Sequence, residues 1–225
     1  KMINYGVTVK CFNADDWIHE LVDGIIGDNY PRPDRMLRHV ELVVNDYLIQ
    51  ELCYNEPLEG RFNTFAVEGA TAGMCYIFDS LIANNILSKG DKIALMSPIF
   101  TPYLEIPHLP RYNFEVINIC ADEMDEEGRH TWQYPESEID KLKDASIKAL
   151  FVVNPNNPPS VAMRPQSVRQ LKNVVDNFNP DLMIISDDVY STFVDNFSSI
   201  MADLPYNTIG VSSYSKYFGV TGWRL

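Results

Sequence analysis

The chain has 225 residues, 46% of them apolar and 22% charged, the balance of a folded protein whose core spans one large domain or a domain and a half. A net charge of −13 excludes a nucleic-acid binder, because no basic stripe exists to neutralise phosphates. No apolar run approaches a membrane span, His19, His39, His108 and His130 lack paired metal-ligand spacing, and Cys11, Cys53, Cys75 and Cys120 form no C-x-x-C pair, three of them sitting in apolar stretches that suggest reduced, buried thiols.

The first sixty residues read as helical. "ADDWIHELVDGII" carries apolar residues at helical spacing, and "PDRMLRHVELVVNDYLIQELC" opens on a proline suited to a first turn. From Arg61 the pattern changes to short strand-like runs alternating with amphipathic stretches. In chain order these are "NTFAV", "TAGMCYIFDSLIANNIL", "KIALM", "FEVINI", "SIKALFVV", "PQSVRQLKNVVDNF", "LMIIS" and "TIGVSS". Apolar strands separated by helices predict an α/β fold, a mostly parallel sheet with helices on both faces. In such sheets ligands bind at the carboxyl ends of the strands. The acidic run "DEMDEEG" at 122–128 lacks the spacing of a calcium loop and reads as a solvated turn.

The unusual residues fall at strand ends. After "NTFAV" comes "EGATAGM", where Gly69, Ala70 and Thr71 open a helix; this is either a tight cap or a phosphate cradle of backbone N–H groups and the Thr71 hydroxyl. After "KIALM", Phe100 is placed to pack in the core or to stack on a flat ring. After "ALFVV", the proline-rich "NPNNPPS" is a stiff loop able to hold Asn157 at a fixed angle, or an ordinary turn. After "LMIIS", "DDVY" delivers Asp187, as a helix cap or as a partner for a cation, with Tyr190 three further on. After "TIGVSS" come Ser213, Lys216 and Arg224: a hydroxyl, an amine that becomes nucleophilic when held from water, and a guanidinium suited to phosphate. Taken singly, each has an ordinary structural reading; a solvated surface charge is the usual fate of a lysine. Together they describe a ligand with a phosphate, a flat ring, a ring cation, a ring oxygen and an aldehyde, which is pyridoxal 5′-phosphate.

The motif "SSYSKYFGVTGWR" is similar to the cofactor-lysine signature of fold-type I pyridoxal-phosphate enzymes, the aspartate aminotransferase superfamily, and the resemblance runs from Tyr30 to Arg224. "NPNNPPS" resembles the superfamily's N-P-x-N-P-T-G but departs from it at Pro159 and Ser160, and "DDVY" carries its D-x-x-Y. The wording of "FAVEGATAGMCYIFDSL", "SPIFTPYLEIPHL", "HTWQYPESEIDKLKD" and "VNPNNPPSV" is closer still to the aspartate β-decarboxylase branch.

The resemblance implies that Lys216 tethers the cofactor and acts as base, that Asp187 partners the ring nitrogen, and that Asn157 and Tyr190 bond the ring oxygen. It implies that Phe100 packs on the ring and that Gly69, Ala70, Thr71, Ser213 and Arg224 hold the phosphate, with Tyr30 reaching it from a neighbouring subunit. No metal is expected, from the histidine spacing and the acidic run described above. The partners are L-aspartate and a 2-oxo acid, the assembly a homodimer or larger, the compartment cytoplasmic, and the chemistry loss of the β-carboxylate as CO2 with transamination as a second outcome. A plain aspartate or alanine-type aminotransferase is the alternative. A ligand-binding domain without catalysis is a remoter one, and the S-x-x-K pair Ser213–Lys216 as an acylating site lacks its K-T-G strand. Residues 1–28 read as a helical lead-in and 29–225 as the cofactor-binding large domain. A first residue other than methionine, and no helix stop at Leu225, suggest a piece of a longer chain. The arginines that grip substrate carboxylates, and a C-terminal small domain, are expected beyond it.

Overall fold

A computed structural model describes residues 38–53 and 63–225. The lead-in helix, the start of the "PDRML…" helix, Cys11 and Tyr30 therefore lie outside the described residues. The described part begins with α1 (Arg38–Leu52), followed by α2 (Ala70–Ala83) and β1 (Lys92–Ser97). Next come α3 (Thr101–Glu105), β2 (Glu115–Cys120), α4 (Glu136–Ile139), β3 (Ile147–Val153), α5 (Pro165–Asn177), β4 (Met183–Asp187), α6 (Ile200–Asp203) and β5 (Thr208–Val211).

The five strands form one sheet in the order β2-β1-β3-β4-β5, every neighbouring pair parallel. The chain starts at β1, steps outward to β2, returns across β1 to β3 and continues to β4 and β5. The direction of winding thus reverses between β1 and β3, where an open α/β sheet leaves its ligand crevice.

Alternation along the strands divides the core in two. Ile93 and Leu95 of β1, Phe151 and Val153 of β3, and Ile185 of β4 face α2, whose Met74, Phe78 and Leu81 recur on one helical face. Phe78 stacks on Phe151 with ring centres 4.6 Å apart. Ala94, Met96, Leu150, Val152 and Ile184 face the other way, onto Leu171, Val174 and Val175 of α5. A smaller cluster joins Leu52 and Cys53, at the end of α1, to Phe197 and to Met201 of α6. Among the described residues no helix is long and apolar enough to cross a membrane.

Three expectations need correction. "NTFAV" is not a strand: residues 63–67 run without regular structure, and among the described residues no strand lies beside them to supply a ladder. The helix after it stops at Ala83, because Asn84 caps it and Asn85 takes a left-handed φ of 57°, while Ile86 N–H donates to Leu81 O at 2.9 Å. Of the cysteines described, only Cys53 is buried; Cys75 and Cys120 are half-buried because they sit on partly covered faces of α2 and β2.

Candidate active site

β4 ends by placing two carboxylates side by side, with opposite surroundings. Asp187 is 4% exposed. Its Oδ2 accepts from the Tyr103 hydroxyl at 2.9 Å and its Oδ1 from the Val189 N–H at 3.2 Å. Burial pushes its pKa up to about 6, against the pull of those two hydrogen bonds. Asp188 is wholly buried; its oxygens accept from the hydroxyls of Ser186 at 2.8 Å and of Ser199, the N-cap of α6, at 2.6 Å. Burial, with the neighbouring Asp187 charge adding, pushes it up to about 7. Among the described residues no lysine, arginine or histidine lies within 4.0 Å of either carboxylate. A buried carboxylate kept without a cation is costly, and both carboxylates carry that cost.

The loops after β3 and β1 flank it across the switch point. Asn154 donates its backbone N–H to Asp187 O at 2.9 Å, and its Oδ1 accepts from Met163 N–H at 2.9 Å. Asn156 donates to the Tyr134 hydroxyl at 3.2 Å, while its buried Oδ1 has no partner among the described residues. Asn157 is half-buried. Ser160, where the loop departs from the superfamily pattern, stands at φ 61°, with its N–H on Asn156 O at 2.8 Å. The departure leaves the loop closed but puts a side chain in the region that favours glycine. Phe100, at the N-cap of α3, is half-buried and packs against the α2-side core, so its core-packing role is observed.

After β5, Lys216 is exposed, with Nζ 5.9 Å from the centre of the Tyr190 ring. The aromatic residues beside it, Tyr214 and Phe218, pack on Tyr47 of α1 at 5.7 and 5.8 Å, which anchors the loop. Ser213 donates its hydroxyl to Leu225 O at 2.6 Å and accepts from Ser215 N–H at 3.1 Å.

Arg224 and the start of α2 meet. Gly69, with φ 94° and ψ 160°, is the N-cap of α2 and has no side chain to cap it; the first turn holds no acidic residue. A Cβ at Gly69 would collide with the Arg224 guanidinium, lying 2.9 Å from its Cζ. The Arg224 guanidinium thus lies against Gly69, the residue that precedes the first free N–H groups of α2; among the described residues it donates to Thr221 O at 2.9 Å and has no carboxylate partner within 4.0 Å. The positive end of a helix and a cation in contact repel unless an anion lies between them.

Every described candidate from the sequence therefore lies at the carboxyl end of the sheet or at the α2 N-terminus. The pairs in contact are Gly69 with Arg224 and Tyr190 with Lys216. Tyr103, Asp188 and Ser199 were not foreseen; the one signal for Tyr103 was its place three residues after Phe100, one helical turn on.

The model for aminotransferase class I and II matches residues 68–225, the stretch that holds all of these groups. The chain belongs to this aminotransferase family. Among its relatives, a bifunctional aspartate aminotransferase and L-aspartate β-decarboxylase from Pseudomonas is 48% identical over 209 residues, covering 93% of this chain and 38% of that protein. An alanine aminotransferase structure from Pyrococcus furiosus superposes with TM-score 0.67 at 20% identity, over 94% of this chain and 49% of its own. A tetra mutant of Thermus thermophilus aspartate aminotransferase gives TM-score 0.63 at 20% identity, over 80% of this chain and 46% of its own. These structures share the aminotransferase fold, and the chain spans less than half the length of each of the three proteins.

Class I and II aminotransferases are pyridoxal 5′-phosphate enzymes, and the residues present fit that group. The Gly69–Arg224 cradle suits a phosphate, buried Asp187 suits a pyridinium nitrogen, and the Lys216 amine suits an aldehyde.

Proposed function

We propose that the protein is a pyridoxal-phosphate enzyme that removes the β-carboxylate of L-aspartate, releasing CO2 and L-alanine, with transamination of aspartate as a second activity. The observation that carries the class of chemistry is Asp187, a buried carboxylate at the end of β4 with no cation of its own among the described residues. What supports the decarboxylating branch is the 48% identity to the Pseudomonas bifunctional protein.

When bound, the cofactor supplies an aldehyde to the Lys216 amine and a ring that takes up electron density from the substrate. The residues of this chain then divide the work. Arg224, the N–H groups of Ala70 and Thr71, the space left by Gly69 and the Ser213 hydroxyl bind the phosphate, joined by Tyr30 of a neighbouring copy. Asp187 holds the ring nitrogen in its protonated form, and a fixed carboxylate in a dry site does this better than water. Asn157 and Tyr190 would hold the ring oxygen, and the partly exposed side of Phe100 would pack against the ring. Lys216 Nζ takes the proton from the substrate Cα and later returns one. In the decarboxylation the Cβ–carboxylate bond breaks, CO2 leaves, and the bonding pair ends in a C–H bond at Cβ, so one proton is consumed for each alanine formed.

Incubation with L-[4-13C]aspartate tests this. The expected result is labelled CO2 and unlabelled alanine in equal amounts. Amino transfer to 2-oxoglutarate with no labelled CO2 would leave a plain aminotransferase, a reading favoured by the 26%-identical aspartate aminotransferase of Pyrococcus horikoshii.

A further inference from the structure

We propose that Tyr103 is a positioning residue for Asp187: its buried hydroxyl donates to Oδ2, holds the carboxylate in its anionic form and leaves Oδ1 for the ring cation. The inference rests on the reading of Asp187 given above. It comes from a comparison of the two neighbouring carboxylates. Asp188 has both oxygens occupied by hydroxyls, those of Ser186 and Ser199, and faces no open space. Asp187 has one oxygen tied to Tyr103, and the other meets only the longer Val189 N–H contact at 3.2 Å. A carboxylate pinned at one oxygen is oriented at the other.

Tyr103 is built to be a donor. It is 1% exposed, its N–H donates to Phe100 O at 2.9 Å, and its ring packs 5.8 Å from Phe151. Burial, with the Asp187 charge, holds its phenol well above the usual range, so the proton stays on the tyrosine and the bond has one polarity. The short α3 thus presents Phe100 at its start and Tyr103 one turn later.

The titratable groups around Asp187 are few. Tyr103 comes from α3, Asp188 follows in the chain, and beyond Asp188 lies Cys53 of the α1 end, its thiol pushed up to about 12 by burial and by Asp188. The backbone neighbours on β3 and β5, Val153 and Val211, carry no charge.

The test is Tyr103→Phe, which removes one oxygen and keeps the ring. In the cofactor-free protein, 13C-carboxyl spectra assigned with Asp187→Asn and Asp188→Asn should show the Asp187 midpoint rising by about one pH unit, with the coupled Asp188 midpoint responding by less. Difluorotyrosine at position 103, a stronger donor of the same shape, should move the midpoint down, and it serves equally should the phenylalanine variant not fold. An unmoved midpoint in both would overturn the proposal and leave Tyr103 a packing residue. In equilibrium dialysis with pyridoxal phosphate, the variant should bind about fivefold more weakly than wild type at pH 6 and nearly equally at pH 8, as a one-unit shift requires. A shifted midpoint without pyridoxal phosphate binding in either protein would uphold the Tyr103–Asp187 coupling and strike the cofactor reading instead.

Discussion

Acidifying the cofactor-free protein from pH 8 to pH 5 should make it more stable, because of Asp187 and Asp188. An ordinary aspartate titrates near 3.9 when unfolded, whereas burial raises these two to about 6 and about 7. The sign follows from the proton count. Below the unfolded value both states hold the proton; as pH rises the unfolded chain ionises first, and stability falls until the folded carboxyls ionise too. Between pH 5 and pH 8 the loss is about 1.4 kcal/mol for Asp187 and about 2.6 kcal/mol for Asp188, each taken alone. The two repel each other, so the pair together loses about 2–4 kcal/mol. The carboxylates held low by partners, such as Asp125 and Asp144, act in the opposite sense below about pH 4, outside this window. Urea unfolding followed by circular dichroism at pH 5, 6, 7 and 8, at constant ionic strength, reads the slope. The net charge of −13 adds general repulsion at high pH, so Asp187→Asn and Asp188→Asn are the controls and should flatten the dependence. A wild-type stability that is level or rising from pH 5 to pH 8, or an unchanged slope in the paired asparagine variant, would refute the reasoning.

Gly69→Ala should cost about 1–3 kcal/mol, since φ 94° with ψ 160° is glycine territory, and should displace the Arg224 guanidinium; a tenfold or larger loss of pyridoxal phosphate affinity by dialysis is the expected reading. Ser160→Gly should stabilise by about 0.5–1 kcal/mol in urea melts, relieving φ 61° less the entropy a glycine loses on folding. Phe78→Ala, which empties the stack on Phe151, should cost about 3–5 kcal/mol and lower the melting temperature without changing which ligands bind.

The parallel sheet was legible because its five described strands are apolar runs bounded by turns, and because α2 and α5 are long enough to display helical periodicity. The helices α3, α4 and α6, of four or five residues, are too short for any period to emerge. Residues 63–67 have the apolar content of a strand, but strand character is completed by a neighbour, which the sequence does not reveal. Asp187 was legible as an acid delivered by an apolar strand. Its bond to Tyr103 was not, since the two are separated by 84 positions and only the packing of α3 beside β4 brings them together. The approach of Arg224 to Gly69 was likewise hidden: the sequence shows a glycine before a helix and an arginine after a lysine, and the contact exists only once β5 returns beside β4.

Borohydride reduction of the protein loaded with pyridoxal phosphate, followed by peptide mass spectrometry, tests the central claim most directly. The account predicts a single stable adduct, on Lys216, that is absent from Lys216→Ala. An adduct on another lysine, or none from a protein that binds the cofactor, would contradict it.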